Sequence, residues 1–578
     1  MKNLKKILVL VIVGLCLFSG CKKDPPPDPL PDPQPEQLMI TSFVFSGLNP
    51  PVTASINQAE KTISALVPRT ANINNLLIEV QFTDGASLNP PSGFSYNFAN
   101  PLTFSLIRGA RLVKYTVTVA YAQSAQKQLL DVAFPDLFRK GVIAGNLVSV
   151  GVPFGTNLQE VRVEFQVSAH ATVSPASGSI VNLSNPLAIT VTAENGEQNQ
   201  YTLTATVLPQ ETGVRAFWIP DPSHTPFLSS LQGIRNGVAM AKELNFNTLF
   251  VCAWAKTRTL YPSQVLANNS TYTTAREGMF TPNYFGLTDD PLADLITIAH
   301  AEGLKVILWF EYGFMARWGS APTPANDRIL ALKPHWVGIN SFGQAANYNN
   351  SDFYFNGYNP EVQQFMIDLI MEAVNNYNID GIQGDDRMPA MPRNSGYEEY
   401  TINRYRSEHG GADPPSNFNN TAWVRWRVNI LNQFWKNVFD TVKAAKPHVL
   451  VAGSPNPFPW AFDNLMQEWP VWLDNRTVEL MSVQCYRYSI SAYRATVNEV
   501  LSYFTNHGDG NLQRLSPGII LYGSAGLTDP DLIAQKILFN RSRGITGESF
   551  FYDFPLNDNR IKRVIRAFYP GPAIFPNL

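Results

Sequence analysis

KVILWFE (305–311) and IDGIQGDD (379–386) decide the fold of this chain, because each is a short apolar run that ends in carboxylates. An amphipathic stretch typical of a helix, residues 360–377, lies between them. Outward from this pair, the same alternation predicts eight parallel strands, over residues 214–219, 248–254, 305–311, 379–386, 449–454, 480–486, 518–523 and 545–553. Eight strand-helix units close a (β/α)8 TIM barrel, predicted here over residues 213–570. A doubly wound open sheet also alternates, but no Gly-rich phosphate loop follows the first predicted strand.

Residues 38–207 show little helical periodicity and contain alternating runs typical of strands, such as YTVTVAY from Tyr115. A displacement of 85 residues relates four pairs of turn residues: Ala86 and Ala171, Pro90 and Pro175, Ser92 and Ser177, Asn100 and Asn185. The duplication predicts two all-β immunoglobulin-like sandwich modules, over residues 38–122 and 126–208. Tyr115 and its counterpart Tyr201 are expected to pack in the two cores. The sequence favours a spacer role for these modules over carbohydrate binding.

The first 37 residues predict an export signal and a tether. Three lysines and a short apolar run precede Phe-Ser-Gly-Cys, which resembles the lipobox of bacterial lipoproteins. The resemblance implies that residues 1–20 are a signal peptide and that Cys21 carries fatty acyl chains such as palmitate; an ordinary secretory signal is the alternative. Residues 21–37, rich in Pro and Asp, predict an extended tether. We therefore expect a protein held to the membrane by lipid on Cys21, outside the cytoplasm, in the outer membrane or at the cell surface.

Composition narrows the possible functions. A formal net charge of -2 over 578 residues argues against a nucleic-acid partner, which would require a basic face. Seven histidines without a clustered pair predict no metal site, and we expect no cofactor. An aromatic content of 12% is generous and suits sugar binding.

Polar and aromatic side chains follow the predicted strands at their carboxyl ends, where the active sites of such barrels lie. Carboxylates, amides and rings on one rim indicate a sugar site, because hydroxyl groups need polar partners and pyranose faces stack on rings. The side chains expected to bind substrate are those of Arg215, Trp254, Trp309, Gln383, Asn456, Gln484, Tyr486 and Tyr522. The expected ligand is a polysaccharide.

Four stretches carry a resemblance to a known family. In chain order they are DPLADLITIAHAEGLKVILWFE (290–311), NYNIDGIQGDDRM (376–388), WVRWRVNILNQF (423–434) and VELMSVQCYRY (478–488). Together they resemble the bacterial glycosyl-hydrolase-like family 10 domain, which belongs with the barrel glycosidases. The resemblance implies a (β/α)8 fold and glycoside hydrolysis, with some relatives acting on bacterial cell-wall glycan.

Asp385 is the first candidate for a catalytic carboxylate. A strand period of two puts Gln383 and Asp385 on one face, and the apolar Ile382 on the opposite face should contact the helices. Asp385 is then expected to point into the mouth of the barrel. The run GIQGD also resembles the Gly-x-Arg-x-Asp strand of amylase-like barrels, whose Asp is the nucleophile, and here Gln383 replaces the Arg.

Glycoside hydrolysis usually needs a second carboxyl group that is protonated at the working pH. The fifth predicted strand, which supplies it in amylase-like barrels, offers none here. Glu311 is the first choice, because the apolar ring of Trp309 beside it should raise its pKa. Asp386 and Glu548 are the reserves. Each has a structural alternative: Glu311 could cap a loop, Asp386 could form a surface ion pair with Arg387, and Glu548 could pair with Arg215 at the barrel floor.

Three functional hypotheses follow from the sequence. The first is a lipid-anchored glycoside hydrolase that acts on a polysaccharide, either cell-wall glycan strands or an external glycan. The second is a catalytically inactive glycan-binding lipoprotein, which the missing acid on the fifth strand favours. The third is a purely structural lipoprotein, which predicts no affinity for glycans.

Overall fold

The computed structural model describes residues 37–578 and divides the chain into two units, with the boundary between Ala125 and Gln126. The signal peptide, Cys21 and all but the last residue of the tether lie outside the described residues. In the part of the chain that is described, no helix combines the length and the apolar character needed to cross a bilayer.

The described residues of the first unit, 37–125, form an all-β module with ten strands. They are β1 (Ile40–Phe45), β2 (Val52–Thr53), β3 (Ser55–Asn57), β4 (Thr62–Val67), β5 (Leu76–Leu77), β6 (Glu79–Phe82), β7 (Ser87–Asn89), β8 (Ser95–Tyr96), β9 (Leu102–Arg108) and β10 (Arg111–Tyr121). One sheet has the order β2-β1-β6 and the other the order β3-β4-β10-β9-β7. The rings of Phe43, Phe98 and Phe104 pack between them, with centroids 5.3 to 6.5 Å apart.

A second all-β module opens the second unit and repeats this strand order. Its strands are β11 (Leu129–Phe134), β12 (Arg139–Lys140), β13 (Val142–Ala144), β14 (Leu147–Val152), β15 (Val161–Arg162), β16 (Glu164–Val167), β17 (Thr172–Ser174), β18 (Ile180–Val181), β19 (Leu187–Thr192) and β20 (Gln198–Val207). Its sheets have the orders β12-β11-β16 and β13-β14-β20-β19-β17. The two modules therefore share one topology.

The repeated serines explain part of the sequence duplication. Ser92 Oγ accepts a hydrogen bond from the backbone nitrogen of Val80 at 2.7 Å, and Ser177 Oγ accepts one from Phe165 at 2.8 Å. Each side chain thus binds the equivalent strand of its own module. The duplicated serines therefore lie at positions where a side chain bonds the backbone of a neighbouring strand.

From residue 213 onward, strands alternate with helices. In chain order they are β21 (Arg215–Ile219), α1 (Leu231–Glu243), β22 (Thr248–Cys252), β23 (Trp254–Ala255), β24 (Arg258–Thr259), α2 (Gln264–Asn268), α3 (Pro291–Ala301), β25 (Lys305–Trp309), β26 (Met315–Trp318), β27 (Asn347–Tyr348), β28 (Asp352–Tyr354), α4 (Pro360–Asn376), β29 (Gly381–Asp385), α5 (Glu399–Glu408), α6 (Thr421–Ala445), β30 (Leu450–Ser454), α7 (Trp460–Leu465), α8 (Trp469–Asp474), β31 (Leu480–Met481), α9 (Ile490–His507), β32 (Gly518–Ile520), β33 (Tyr522–Gly523), β34 (Gly526–Leu527), α10 (Pro530–Ser542), β35 (Glu548–Phe551) and α11 (Asn559–Phe568). Short 3-10 turns cover Pro334–Trp336, Leu512–Arg514 and Phe554–Asn557.

Eight of these strands form one parallel sheet with the order β31-β30-β29-β25-β22-β21-β35-β32. Each of the eight runs predicted from the sequence contains one strand of this sheet. Two backbone hydrogen bonds connect the end strands, from the nitrogen of Ser516 to the oxygen of Met481 and from Gly518 to Val483, both at 2.8 Å. Because the eight strands are parallel, their carboxyl ends all lie at the same end of the sheet.

Three helices around the sheet begin with the same signal, an Asx residue followed by Pro. Asp290, Asn359 and Asp529 cap α3, α4 and α10, and each accepts a hydrogen bond from a backbone nitrogen of the first turn. A proline at the first helical position loses no hydrogen bond there and has the φ that a helix needs. These caps fix where the loops after β22, β25 and β32 end.

The chain terminus pairs with the segment that enters the sheet. The backbone nitrogen of Gly213 donates to the oxygen of Ile574 at 3.0 Å, and the nitrogen of Ile574 donates to the oxygen of Glu211 at 2.9 Å. The second module also packs against α11, where the ring of Phe138 stacks on Phe568 at 5.7 Å. The second module, the sheet and the terminus are thus joined around residues 208–213.

Candidate active site

Asp385 is the last residue of β29 and is buried, with 1% of its surface exposed. Its Oδ1 accepts a hydrogen bond from the backbone nitrogen of Arg387 at 2.8 Å, and its Oδ2 accepts one from Trp309 Nε1 at 3.1 Å. The preceding residue must be glycine, because a Cβ at Gly384 would lie 2.5 Å from the carbonyl oxygen of Met388. The sharp turn after β29 therefore holds the carboxylate in one orientation.

Arg387 contacts both carboxylates at the end of β29. Its Nη1 lies 3.3 Å from Asp385 Oδ2 and 3.3 Å from Asp386 Oδ1, and its Nε lies 3.7 Å from Asp352 Oδ2. Asn456 Nδ2 donates a hydrogen bond to Asp386 Oδ2 at 3.0 Å. The ion pair of Asp386 with Arg387 expected as an alternative does occur, but within the cleft and shared with Asp385.

Glu311 follows β25 on the neighbouring strand of the sheet and is half-buried. Its Oε2 accepts a long hydrogen bond from Cys252 Sγ at 3.4 Å. Burial raises the pKa of Glu311, while the positive charge of Arg387 acts to lower it. The group thus has the protonation tendency of a proton donor.

The protonation of Asp385 depends on its burial and on the two residues that follow it, Asp386 and Arg387. Burial, followed by the charge of Asp386, raises the pKa of Asp385 well above its usual range, and Arg387 opposes this shift. Gln383 occupies the position of the Arg in amylase-like strands, and its Oε1 accepts a hydrogen bond from Trp218 Nε1 at 2.8 Å. Gln383 carries no positive charge, and Arg387 provides one beside Asp385 instead.

Two adjoining cavities form the cleft. The smaller, of about 230 Å³, is lined by Trp218, Trp309, Glu311, Asp385, Asp386, Arg387, Ser454, Gln484, Tyr486 and Phe551. The larger, of about 540 Å³, is lined by His224, Lys256, Thr257, Glu311, Tyr312, Met315, Ala316, Arg317, Trp318, Asp327 and Arg387. Glu311 and Arg387 belong to both linings. The carboxyl groups therefore sit where the two cavities meet.

Asp221, in the loop after β21, organises one wall of the larger cavity. It accepts hydrogen bonds from Lys256 Nζ at 2.9 Å, from the backbone nitrogen of Ser223 at 3.0 Å, and pairs with His224 Nδ1 at 3.0 Å. Burial acts to raise the pKa of Asp221, but hydrogen bonds from His224, Ser223 and Lys256 outweigh it and lower the pKa. Sequence analysis missed this group, although a carboxylate directly after the first strand was a visible signal.

Several residues predicted from the sequence meet in this cleft. Trp309, Gln484 and Tyr486 line the smaller cavity together with the carboxylates. The ring of Tyr486 packs against Phe551 with centroids 5.3 Å apart. Asn456 acts indirectly, through its hydrogen bond to Asp386.

Two predicted aromatic residues lie away from the linings of both cavities. Trp254 is fully buried, donates its Nε1 proton to the oxygen of Gly313 at 3.1 Å and packs its ring against Phe365 of α4. It contacts protein on all sides, so its predicted role in binding substrate is corrected to packing. Tyr522 is 46% exposed in the short β33-β34 hairpin.

Glu548 and Arg215 require a second correction. They are the first residues of β35 and β21 and pair in register, so both lie at the amino end of the sheet, opposite the cleft. Glu548 is bound by Arg541 at 2.6 Å, by Asn540 at 3.1 Å and by Tyr569. The partner of Glu548 is therefore Arg541 and not Arg215, whose guanidinium stacks on the ring of Tyr569 at 4.0 Å.

Among residues 37–578, no group of three or more His, Cys, Asp or Glu side chains is arranged to hold a metal ion.

Comparisons with known proteins place the chain in a family. The profile described as "Glycosyl hydrolase-like 10" matches residues 213–521, and the profile described as "SGBP, N-terminal" matches residues 40–119 and 138–205. The resemblance inferred from the four sequence stretches is thereby confirmed.

Curated relatives are also similar to this chain. "Glycosyl hydrolase YngK" of Bacillus subtilis (strain 168) is 24% identical over 371 residues, which cover 58% of this chain and 66% of the relative. "Glycosyl hydrolase DigH" of Escherichia coli (strain K12) is 24% identical over 309 residues, covering 50% and 66%. The match thus spans just under two thirds of each relative.

Among solved structures, the glycoside hydrolase domain of PgaB (BpsB) from Bordetella bronchiseptica aligns with 62% of this chain and 99% of its own length, at 13% identity and a TM-score of 0.44. The family match covers more than half of the chain and includes β29 with its carboxylates. The chain is a member of the Glycosyl hydrolase-like 10 family.

Proposed function

We propose that this protein is a glycoside hydrolase that cleaves a polysaccharide in the cleft at the carboxyl end of β29. The observation that carries the proposal is the placement of two carboxyl groups, Asp385 and Glu311, around one aromatic-lined cavity. Burial raises the pKa of both groups, and carboxyl groups with a shifted pKa beside a cavity are frequent in active sites. Membership of a glycosyl hydrolase-like family supports the same conclusion.

We further propose that the parallel sheet closes into a (β/α)8 barrel. Two backbone hydrogen bonds support closure, one from Ser516, before β32, to Met481 of β31 and one from Gly518 of β32 to Val483, after β31. They connect the segments at opposite ends of the sheet order. In a closed barrel the eight loops at the carboxyl ends surround one mouth. Asp385 would then lie in the wall of that mouth.

In the proposed reaction, Glu311 protonates the oxygen of the departing sugar while the glycosidic bond breaks. Asp385 either attacks the anomeric carbon or removes a proton from the attacking water, according to the stereochemical course. Trp309 Nε1 and the backbone nitrogen of Arg387 hold the Asp385 carboxylate in place. The guanidinium of Arg387 favours the ionised form of Asp385 that either role requires.

The aromatic residues of the smaller cavity are suited to hold the sugar ring at which cleavage occurs. Trp218, Tyr486 and Phe551 pack against one another at 5.3 to 6.4 Å and form one continuous apolar wall. A pyranose face stacks on such a wall, while its hydroxyl groups can reach Gln484 and Asp386 on the same lining. The larger cavity would take sugars on the other side of the scissile bond.

A hydrolysis assay tests the proposal. The purified chain is incubated with a panel of polysaccharides that includes bacterial cell-wall glycan strands stripped of peptides, and released reducing ends are counted. We expect release from at least one glycan. If none is cleaved although one is bound, the chain is instead the inactive glycan-binding protein that the carboxylate-free end of the fifth strand, Ser454-Pro455-Asn456, favours.

The role of Glu311 has its own test. Glu311→Gln should lose hydrolysis of natural glycans, because their leaving oxygens need a proton. It should keep much of its rate on an aryl glycoside whose leaving phenol is acidic enough to depart unprotonated. An equal loss on both substrates would contradict the role of proton donor.

We also propose that the protein is anchored outside the cytoplasm by lipid on Cys21. The run Phe-Ser-Gly-Cys supports acylation, and the match to the SGBP N-terminal profile supports a surface glycan-binding context. Cells fed labelled palmitate should label the chain, and Cys21→Ala should abolish the label. Labelling that survives this substitution would contradict the anchor.

A further inference from the structure

A second groove, of about 470 Å³, has no lining residue in common with the cleft. Three segments form it, residues 347–350 of the β27-β28 hairpin, residues 392–394, and residues 463–464 within α7, together with Phe418 and Asn419. In chain order, these three segments follow the third, fourth and fifth strands of the sheet. The groove therefore lies on the side of the sheet where the carboxyl ends of the strands, and the cleft, are found. We call it the asparagine groove.

Its lining is dominated by amide side chains. The asparagines are Asn347, Asn349, Asn350, Asn394, Asn419 and Asn464. The charged residues in the lining, Arg393 and Asp463, lie 3.9 Å apart and offset each other. An amide offers a donor and an acceptor together, which matches vicinal hydroxyl groups and offers no attraction to a charged ligand. The chemistry of the groove fits an uncharged sugar chain.

An aromatic pair stands at the edge of this groove. Tyr348, in the lining, packs edge-on against Trp460 with centroids 5.6 Å apart at 84°. The side chain of Trp460 is 40% exposed, although it is large and apolar. A ring that remains exposed beside polar amides is a typical platform for the apolar face of a sugar.

One buried atom in the groove lacks a partner. Asn394 Oδ1 is shielded from solvent and accepts no hydrogen bond within the described chain. A buried acceptor without a partner costs free energy, and a shift of this side chain toward the groove would let a ligand hydroxyl reach it.

The groove is connected to the cleft through one hairpin. Asn347, Asn349 and Asn350 lie on the β27-β28 hairpin, and Asp352 of the same hairpin reaches to 3.7 Å from Arg387 Nε. A polymer in the cleft could therefore extend along this hairpin to the amides.

We propose that the asparagine groove is a second glycan-binding site that holds an uncharged stretch of a polysaccharide outside the catalytic cleft. The site goes beyond the proposed hydrolysis, because binding there requires no catalysis. Its volume lies within the range of about 300–1,000 Å³ that is usual for ligand sites.

Two variants test the site without disturbing the fold. Asn349 and Asn350 have φ angles of 52° and 56°, so the double substitution Asn349→Gly with Asn350→Gly removes two amides from exposed positions whose backbone suits glycine. Trp460→Ala removes the aromatic platform. The matched control is Arg476→Gly, an exposed residue with φ 52° in the loop before β31, away from the groove.

Binding of hexasaccharides of chitin, cellulose, xylan and mannan is measured by titration calorimetry, with every variant built on Asp385→Asn to prevent turnover. We expect at least one of these glycans to bind, and both groove variants to weaken its affinity about tenfold while Arg476→Gly leaves it unchanged. The proposal is overturned if no hexasaccharide binds, or if both groove variants bind every glycan within twofold of the parent. Groove-dependent binding, together with a chain of unaltered sequence that cleaves none of these glycans, would keep this site and remove the proposed hydrolase function.

Discussion

The two ends of the parallel sheet each hold an ionic cluster, and the clusters differ in their balance of charge. At the amino end, Arg215 and Arg541 face Glu211 and Glu548, so two cations meet two carboxylates. At the carboxyl end, Arg387 alone stands among Asp385, Asp386 and Asp352, with Glu311 on the same lining. One cluster is matched and the other has an excess of carboxyl groups.

The difference in charge balance suggests different roles, with the amino-end cluster stabilising the fold and the carboxyl-end cluster suited to catalysis. Glu548 is buried and is bound through both oxygens by Arg541 and Tyr569, so its charge has a direct partner. Asp385 competes with Asp386 for one guanidinium, and this competition contributes to its raised pKa. Unmatched carboxylates beside an open cavity are costly to retain, which supports the catalytic role proposed for Asp385. Substitutions at the carboxyl end should accordingly lower kcat and leave stability unchanged, and substitutions at the amino end should lower stability and leave kcat unchanged.

The largest effect is expected at the carboxyl end. Asp385→Asn should lower kcat by about 10³-fold or more, because the amide can neither attack nor remove a proton. The melting temperature should stay equal or rise, since repulsion from Asp386 is removed. Steady-state kinetics and a thermal melt check both. A variant that turns over at a rate comparable to the parent would remove Asp385 from the mechanism.

The opposite signature is expected at the amino end. Glu548→Gln leaves Arg541 without its buried partner and should lower the free energy of unfolding by about 3 kcal/mol. kcat measured well below the melting temperature should be unchanged. Urea unfolding followed by tryptophan fluorescence measures the loss. Glu211→Gln, at a more exposed carboxylate, is the control and should cost less; a loss of kcat in a stable Glu548→Gln variant would contradict the comparison.

A smaller effect is expected on the pH profile of Asp386→Asn. The reaction needs ionised Asp385, so kcat/KM should rise with pH through the raised pKa of that group. Removing the neighbouring charge lowers this pKa and should move the rising limb to lower pH. Asp352→Asn, which contacts Arg387 but does not adjoin Asp385, should move it less. An unmoved limb would show that Asp386 does not set the protonation of Asp385.

The smallest effect is expected for Cys252→Ala. The thiol of Cys252 donates to Glu311 and helps to lower its pKa, so its removal should raise that pKa. Because Glu311 must be protonated, the falling limb of kcat/KM should shift slightly to higher pH. Cys485→Ala, also a buried free cysteine, is the matched control and should leave the limb in place. A shift of equal size in both variants would rule out a specific contact with Glu311.

The sequence predicted the alternation of strands and helices because burial of a parallel strand on both faces leaves a continuous apolar run. The sequence predicted the first residue of a strand less accurately. The last predicted strand covered residues 545–553, but β35 starts at Glu548, so a residue placed in the active site lies at the opposite end. An error of three residues in the start of a strand is enough to assign a side chain to the wrong end of the sheet, and so to the wrong ionic cluster.

The sequence also could not predict the direction of a side chain or the contacts made where the backbone turns back. Trp254 follows a strand of the sheet as expected, but its ring turns toward α4 rather than into the cleft. Arg387 could be paired with Asp386 from adjacency alone, yet its contact with Asp385 depends on the turn that Gly384 permits. The asparagine groove was hidden because its segments are distant in the sequence.

The pairing of the chain terminus with residues 211–213 has a mechanical consequence. A pull on the second module reaches the sheet in part through the segment that enters β21, besides the contact of Phe138 with α11. Because Ile574 is bound to Glu211 and Gly213 on that segment, and Arg215 Nη1 binds the oxygen of Gly571 at 2.8 Å, part of the force is diverted into the tail that follows α11. The first strand and the last helix of the sheet domain would therefore share the load, and the first strand would not be peeled away alone when the protein holds a polymer under tension.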